Sequence, residues 1–154
     1  MMPPVVAQLL ATMALLGCLS LAPVSNQLTQ SQEPSETWEP GPADVALISR
    51  TIWGEVRGCC EAEQRAQAWC ILNRVDDPRW PDSIEKVVTA PYQFQGYSPN
   101  NPEAPFHDMA REILILWHNG EREIPEDMCF CSGDGKNQTF RNTWERTAET
   151  RYWP

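Results

Sequence analysis

The feature that most limits what this chain can fold into is the run from Val5 to Ala22, VVAQLLATMALLGCLSLA, broken only by Gln8, Thr12 and Ser20. No charged side chain occurs in residues 1–25. A stretch this apolar so close to the first residue reads as the centre of an export signal or an uncleaved N-terminal anchor, not as a layer of a globular core. Leu15-Leu16-Gly17-Cys18 is similar to a lipobox, in which Cys18 would carry a lipid, although Leu19, Leu21 and Ala22 continue the apolar run beyond it. Residues 26–42, NQLTQSQEPSETWEPGP, hold almost nothing to bury and read as a flexible linker. What remains, 43–154, is enough chain for one domain. That domain is expected to work outside the cytoplasm, secreted or anchored to the outer face of the membrane.

Charge and ligand chemistry remove several functional classes. The chain has 12 basic and 21 acidic side chains for a net charge of −9, and no base precedes Ala43. An acidic domain of this kind is not a nucleic-acid binder. The two histidines, His107 and His118, fall on one helical segment and would stand about 16 Å apart at 1.5 Å per residue, too far to share a zinc ion. Beyond Cys18 the cysteines are Cys59, Cys60, Cys70, Cys129 and Cys131. Their spacing is not that of a zinc site, and only Cys60, at a helix start, resembles an activated nucleophile. No metal and no cofactor are expected. If disulfides form, Cys59 or Cys60 paired with Cys129 or Cys131 would tie the first helix to the tail, with one thiol left over.

Apolar spacing organises the domain into three main helices and a strand-rich tail, an α+β fold that is mainly helical. Pro42 and Asp44 open a first helix carrying Val45, Ile48, Ile52 and Val56 on one stripe, with Gly58 as its terminal cap. A second helix runs from about Glu61 to Val75 and stops at Asp76-Asp77-Pro78, with Ala62, Ala66, Trp69, Cys70 and Asn73 on its buried face. After a single turn near Pro81–Val88, residues 90–105 form a long loop rich in Pro, Asn, Tyr and Gln. Phe106 to His118 is a third helix with Met109, Ile113 and Leu116 buried and Asn119-Gly120 at its end. Met128–Ser132 and Gln138–Asn142, separated by Gly133–Lys136, read as two strands joined by a tight turn.

Glu55 stands out within this pattern. At 100° per residue it lies about 20° from Ile48 and about 60° from Ile52, so its carboxylate points along the apolar stripe of the first helix. Desolvation disfavours the charged form of a carboxyl, which is how a general acid is made. The competing reading is a helix-end ion pair with Arg57, Arg50 or Arg65.

Thr51-Ile52-Trp53-Gly54-Glu55-Val56-Arg57-Gly58, Cys70-Ile71-Leu72-Asn73-Arg74-Val75, Ala90-Pro91-Tyr92-Gln93-Phe94 and Ser132–Asn142 occur in that order. Together they resemble the SleB-type cell wall hydrolases, bacterial enzymes that cleave peptidoglycan and are typified by spore-cortex lytic enzymes. The resemblance covers about Ala43 to Trp153. It implies a lysozyme-like or lytic-transglycosylase-like domain in which Glu55 is the single catalytic acid/base. The implied substrate is the peptidoglycan glycan strand, cut between N-acetylmuramic acid and N-acetylglucosamine. Val56 replaces the Ala commoner in the family, and Asn137-Gln138-Thr139 stands where many relatives carry an aromatic residue or His.

One glutamate suffices for a transglycosylase, which protonates the leaving oxygen and then takes a proton from the sugar's own 6-hydroxyl. A retaining hydrolase needs a second carboxylate about 5 Å away, for which Asp134 and Glu61 are the candidates. Asn73, Gln93, Phe94, Tyr97, Arg141 and Asn142 are the further candidates for binding sugar, since aromatic faces pack on pyranose rings and amides bond hydroxyl and N-acetyl groups. For Asn73 a tie between helices is the competing role, and for Asp134 a turn. A monomer is expected. The alternative to an enzyme is a non-catalytic glycan-binding module of the same fold.

Overall fold

A computed structural model describes residues 37–153. The apolar run, Cys18 and the linker up to residue 36 lie outside the described residues. Helix α1 spans Pro42–Val56, with Pro at its start and Asp44 in its first turn. Its buried face carries Val45, Ile48, Ile52 and Val56, as the spacing predicts, together with Ser49 and Thr51. Those two hydroxyls donate to the carbonyls of Val45 and Leu47, each at 2.7 Å, so they are buried without loss of a partner. Gly58 directly follows Arg57, the C-cap residue of α1, where the sequence places a terminal glycine, but it lacks the positive φ of Gly120 and Gly135. Instead Gln64 reaches back from the next helix and donates to the carbonyls of Val56, Arg57 and Cys59.

Helix α2, Glu61–Asp76, is the axis of the domain. Every residue from Ala66 to Arg74 is buried, so the single apolar stripe inferred from spacing understates its environment. Helix α1, the short helix α3 (Ile84–Val88) and helix α4 (His107–His118) surround it together with the tail sheet. Ala110, Ile113 and Leu114 are the buried residues of α4, while Met109 and Leu116 are only partly covered. The helix closes on Gly120, φ +79°, with Glu121 N–H donating to the Leu116 carbonyl at 2.9 Å. No described helix is long and apolar enough to cross a membrane.

The tail is a three-stranded antiparallel sheet in the order β1 (Phe130–Gly133), β2 (Gln138–Arg141), β3 (Tyr152–Trp153). The expected hairpin is present. Asp134 Oδ1 accepts from the N–H groups of Lys136 and Asn137, both at 2.8 Å, and Gly135 takes φ +90°. The third strand was not foreseen. Phe140 and Trp69, both fully buried, join hairpin and α2 to one core, each such side chain contributing about 1.5–3 kcal/mol. Ahead of α1, Trp38 stacks on His118 with ring centroids 4.0 Å apart, and Glu39 pairs with Arg111.

Candidate active site

The last turn of α1 brings Glu55 against the long loop. Gly54 and Gly96 touch there backbone to backbone, because a Cβ on either would lie 1.9–2.3 Å from the other's carbonyl oxygen. Asn101 fastens the contact, its Nδ2 donating to the carbonyls of Arg50 at 3.0 Å and Gly96 at 2.8 Å. With the loop held there, the Gly96 N–H donates to Glu55 Oε1 at 2.5 Å. No base meets the Glu55 carboxylate among the described residues. Arg50 pairs with Glu103, Arg65 with Glu112 and Glu123, and Arg57 donates to the Trp53 carbonyl. The ion-pair reading of Glu55 therefore fails for all three arginines.

Glu55 lines a cleft of about 450 Å³ between the α1–α2 turn and the tip of the β1–β2 hairpin. Arg57, Gly58 and Cys59 form one wall and Gly133 with Gly135–Gln138 the other. The hairpin is held in place by polar residues of α2. Glu63 Oε1 accepts from the Gln138 N–H at 2.9 Å, and Gln67 Oε1 from Gln138 Nε2 at 3.2 Å. Cys131 is reached by the Gln67 amide and hydrogen-bonded by the Cys70 thiol, which with the nearby Arg74 charge lowers its pKa below the ordinary thiol range. Burial and the charge of Glu55 oppose that shift.

Residues 60–152 match the family described as Cell Wall Hydrolase. The chain belongs to the cell wall hydrolase family. It is 29% identical over 91 residues to the spore cortex-lytic enzyme of Bacillus subtilis (strain 168), covering 59% of this chain and 30% of that protein. The spore cortex-lytic enzyme of Halalkalibacterium halodurans is 30% identical over 78 residues, 51% of this chain and 24% of that protein. This cell wall hydrolase thus spans under a third of the length of the curated relatives it matches. No solved structure matches it. Glu55 lies just ahead of the matched span, while every other candidate residue lies within it.

None of the other candidate side chains of the cell wall hydrolase bonds Glu55 or lines its cleft. Asn73 Nδ2 donates to the carbonyls of Pro125 and Met128, beside a separate pocket lined by Asp76, Asp77 and Arg122. Gln93 Oε1 accepts from Arg74 at 3.0 Å, and the Phe94 ring is buried beneath the same guanidinium at 4.8 Å. Tyr97 is half-buried against the core. Asp134 sits between two cleft glycines, but its carboxylate faces its own turn, whose backbone N–H groups lower its pKa. Glu61 is the exposed first residue of α2. Arg141 donates to Ser132 Oγ at 3.0 Å, and Asn142 Oδ1 accepts from the Arg151 N–H.

Sequence reasoning missed the residues that build the site's frame. Glu63, Gln67, Cys70 and Arg74 follow one another at steps of four, three and four, a polar stripe within about 60° of arc that faces the hairpin. That spacing was the available signal. Gly96 and Asn101 gave none, since one contributes a backbone N–H and the other bonds only carbonyls. None of the pairings that disulfides would make, Cys59 or Cys60 with Cys129 or Cys131, is present among the described residues. All five described cysteines are free, and Cys131 neighbours Cys70 instead of Cys59 or Cys60.

Proposed function

We propose that this cell wall hydrolase cuts peptidoglycan glycan strands between N-acetylmuramic acid and N-acetylglucosamine by lytic transglycosylation, with Glu55 as both acid and base. The observation that carries the reading is that Glu55 is the one carboxylate lining its cleft and has no cationic partner among the described residues. Protonated Glu55 gives its proton to the glycosidic oxygen. The carboxylate left behind then accepts the proton of the 6-hydroxyl as that oxygen closes on the anomeric carbon, leaving a 1,6-anhydro end. The Gly96 N–H fixes Oε1, so Oε2 is the oxygen available to carry the proton. A retaining hydrolase would need a second carboxylate about 5 Å away. Glu63 is engaged with Gln138, and Asp134 with its own turn. The substrate places the working domain outside the cytoplasm, in keeping with the apolar run at Val5–Ala22.

Mass spectrometry of fragments released from purified peptidoglycan tests this. Anhydro-muramic ends from the wild type, with release reduced about 10²–10⁴-fold in Glu55→Gln, are the expected result. Reducing ends would make the enzyme a muramidase or glucosaminidase. Wall binding without any fragments would make it a glycan-binding module.

A further inference from the structure

We propose that Ser132, Arg141 and Arg146 form a carboxylate-binding site that takes an acidic substituent of the glycan strand, a deepening that rests on the peptidoglycan reading above. In β1 and β2 the register pairs Phe130 with Arg141 and Ser132 with Thr139. These residues share the face of the hairpin opposite Cys131, Gln138 and Phe140. Arg141 is 3% exposed, yet its guanidinium meets no carboxylate among the described residues. Its Nη1 donates to Ser132 Oγ at 3.0 Å, and its buried Nε has no acceptor. Arg146, exposed in the following loop, donates to the same Ser132 Oγ at 3.2 Å. Two like charges therefore converge on one neutral oxygen. The hydroxyl that accepts both still has its own O–H to give.

Buried guanidinium groups are normally matched by an anion, because leaving such a charge uncompensated is costly. This chain has acids to spare, 21 against 12 bases. It uses them elsewhere: Arg50, Arg65, Arg79, Arg111, Arg122 and Arg151 all have carboxylate partners. The bases without one among the described residues are Arg57, Arg74, Lys136, Arg141 and Arg146. Arg57 and Lys136 line the Glu55 cleft, and Arg74 donates to the Cys129 carbonyl beside β1. The unmatched positive charge of an acidic protein is thus gathered around the cleft and its hairpin. Planar guanidinium groups and a hydroxyl donor suit a carboxylate. Trp144, 71% exposed and packed on Phe130 at 6.4 Å, adds an apolar face for a sugar ring beside it.

The test uses the full chain and two preparations of one peptidoglycan, native and with its carboxyl groups converted to amides. Arg146→Ala, at an exposed position, should raise KM on native strands about tenfold with kcat within about twofold, and leave both unchanged on amidated strands. Ser132→Ala should act in the same direction. Equal losses on both substrates, or no loss on either, would overturn the proposal. Binding to both preparations is measured in parallel with the Glu55→Gln chain, with and without Arg146→Ala. If no fragments are ever released but binding still needs both the carboxylates and Arg146, cleavage is disproved and this site stands. Removing the peptide stems takes away their carboxylates and frees the lactyl carboxylates that had been amide-linked to them, so loss of the Arg146 effect on stripped strands assigns the site to the stem, and its persistence assigns it to the lactyl carboxylate of muramic acid that bears no stem.

Discussion

Gly54 on α1 and Gly96 in the long loop are in backbone contact, and the same contact delivers the Gly96 N–H to the carboxylate of Glu55. A methyl group on Gly96 would meet the Gly54 carbonyl at 2.3 Å, and backbone cannot rotate away as a side chain does. Gly96→Ala is therefore expected to push the loop off α1 and release Glu55. Activity in a peptidoglycan-clearing assay should fall by about 10²-fold, as displacing a reacting group by an ångström does. The melting temperature should drop by the equivalent of about 1–3 kcal/mol. Asn101→Ala, which removes the clamp but adds no clash, should give a smaller loss of both.

Arg74 should be the most sensitive position of α2. Its Nε donates to the Cys129 carbonyl at 2.7 Å and its Nη1 to Gln93, while its guanidinium lies 4.3 Å from the Trp80 ring centre and 4.8 Å from that of Phe94. One side chain thus joins α2, the long loop and the start of the hairpin. Arg74→Lys keeps the charge but loses the planar fork and the stacking. Urea denaturation should show a loss of about 2–4 kcal/mol from the orphaned acceptors and rings.

Acid should weaken the domain through Glu123. Burial raises its pKa, but hydrogen bonds from Arg65 and Trp69 and the charge of Arg65 outweigh that and hold it below its ordinary value of 4.5. A carboxylate depressed in this way adds stability above about pH 4.5, and the contribution disappears as pH falls through the lower folded value. Thermal melts between pH 6 and pH 3 should show a steeper decline for the wild type than for Glu123→Gln. At neutral pH, Glu123→Ala leaves the buried Trp69 indole, now bonded to Glu123 Oε2 at 2.6 Å, without a partner. That should cost about 1–3 kcal/mol.

Tyr92 holds φ +65° with its ring 90% exposed. Pro91 precedes it, and the Gln93 N–H bonds the Ala90 carbonyl at 3.3 Å, the arrangement of a type II turn whose third position favours glycine. The exposed ring does little to offset about 1 kcal/mol of strain, and on the proposed reading of the chain it is expected to serve a bound glycan. Tyr92→Gly should leave stability equal or up to about 1 kcal/mol higher while weakening sedimentation with insoluble wall about three- to tenfold.

Much of this fold was legible in the apolar spacing. Val45, Ile48, Ile52 and Val56 announce α1, Gly120 ends α4 as expected, and Gly133–Lys136 separate two real strands. Tyr152–Trp153 is too short for its alternation to register as a strand. The complete burial of α2 is hidden because Gln67, Asn73 and Arg74 read as polar until their partners on distant segments are known. Trp38 and Glu39 sit in a stretch whose composition reads as linker, yet α4 supplies His118 and Arg111 to receive them. Glu55 was visible as a charge on an apolar stripe. What holds it was not, because a backbone N–H leaves no mark on residue type.

The cleft also has an order of birth. Glu55 and the Gly96 that orients it are separated by 41 positions, and the hairpin that closes the opposite wall ends near Arg141. On the proposed reading, a chain exported from its N-terminus would expose its acid before it has a groove to aim it into, and cleavage would wait until the hairpin has folded back on α2.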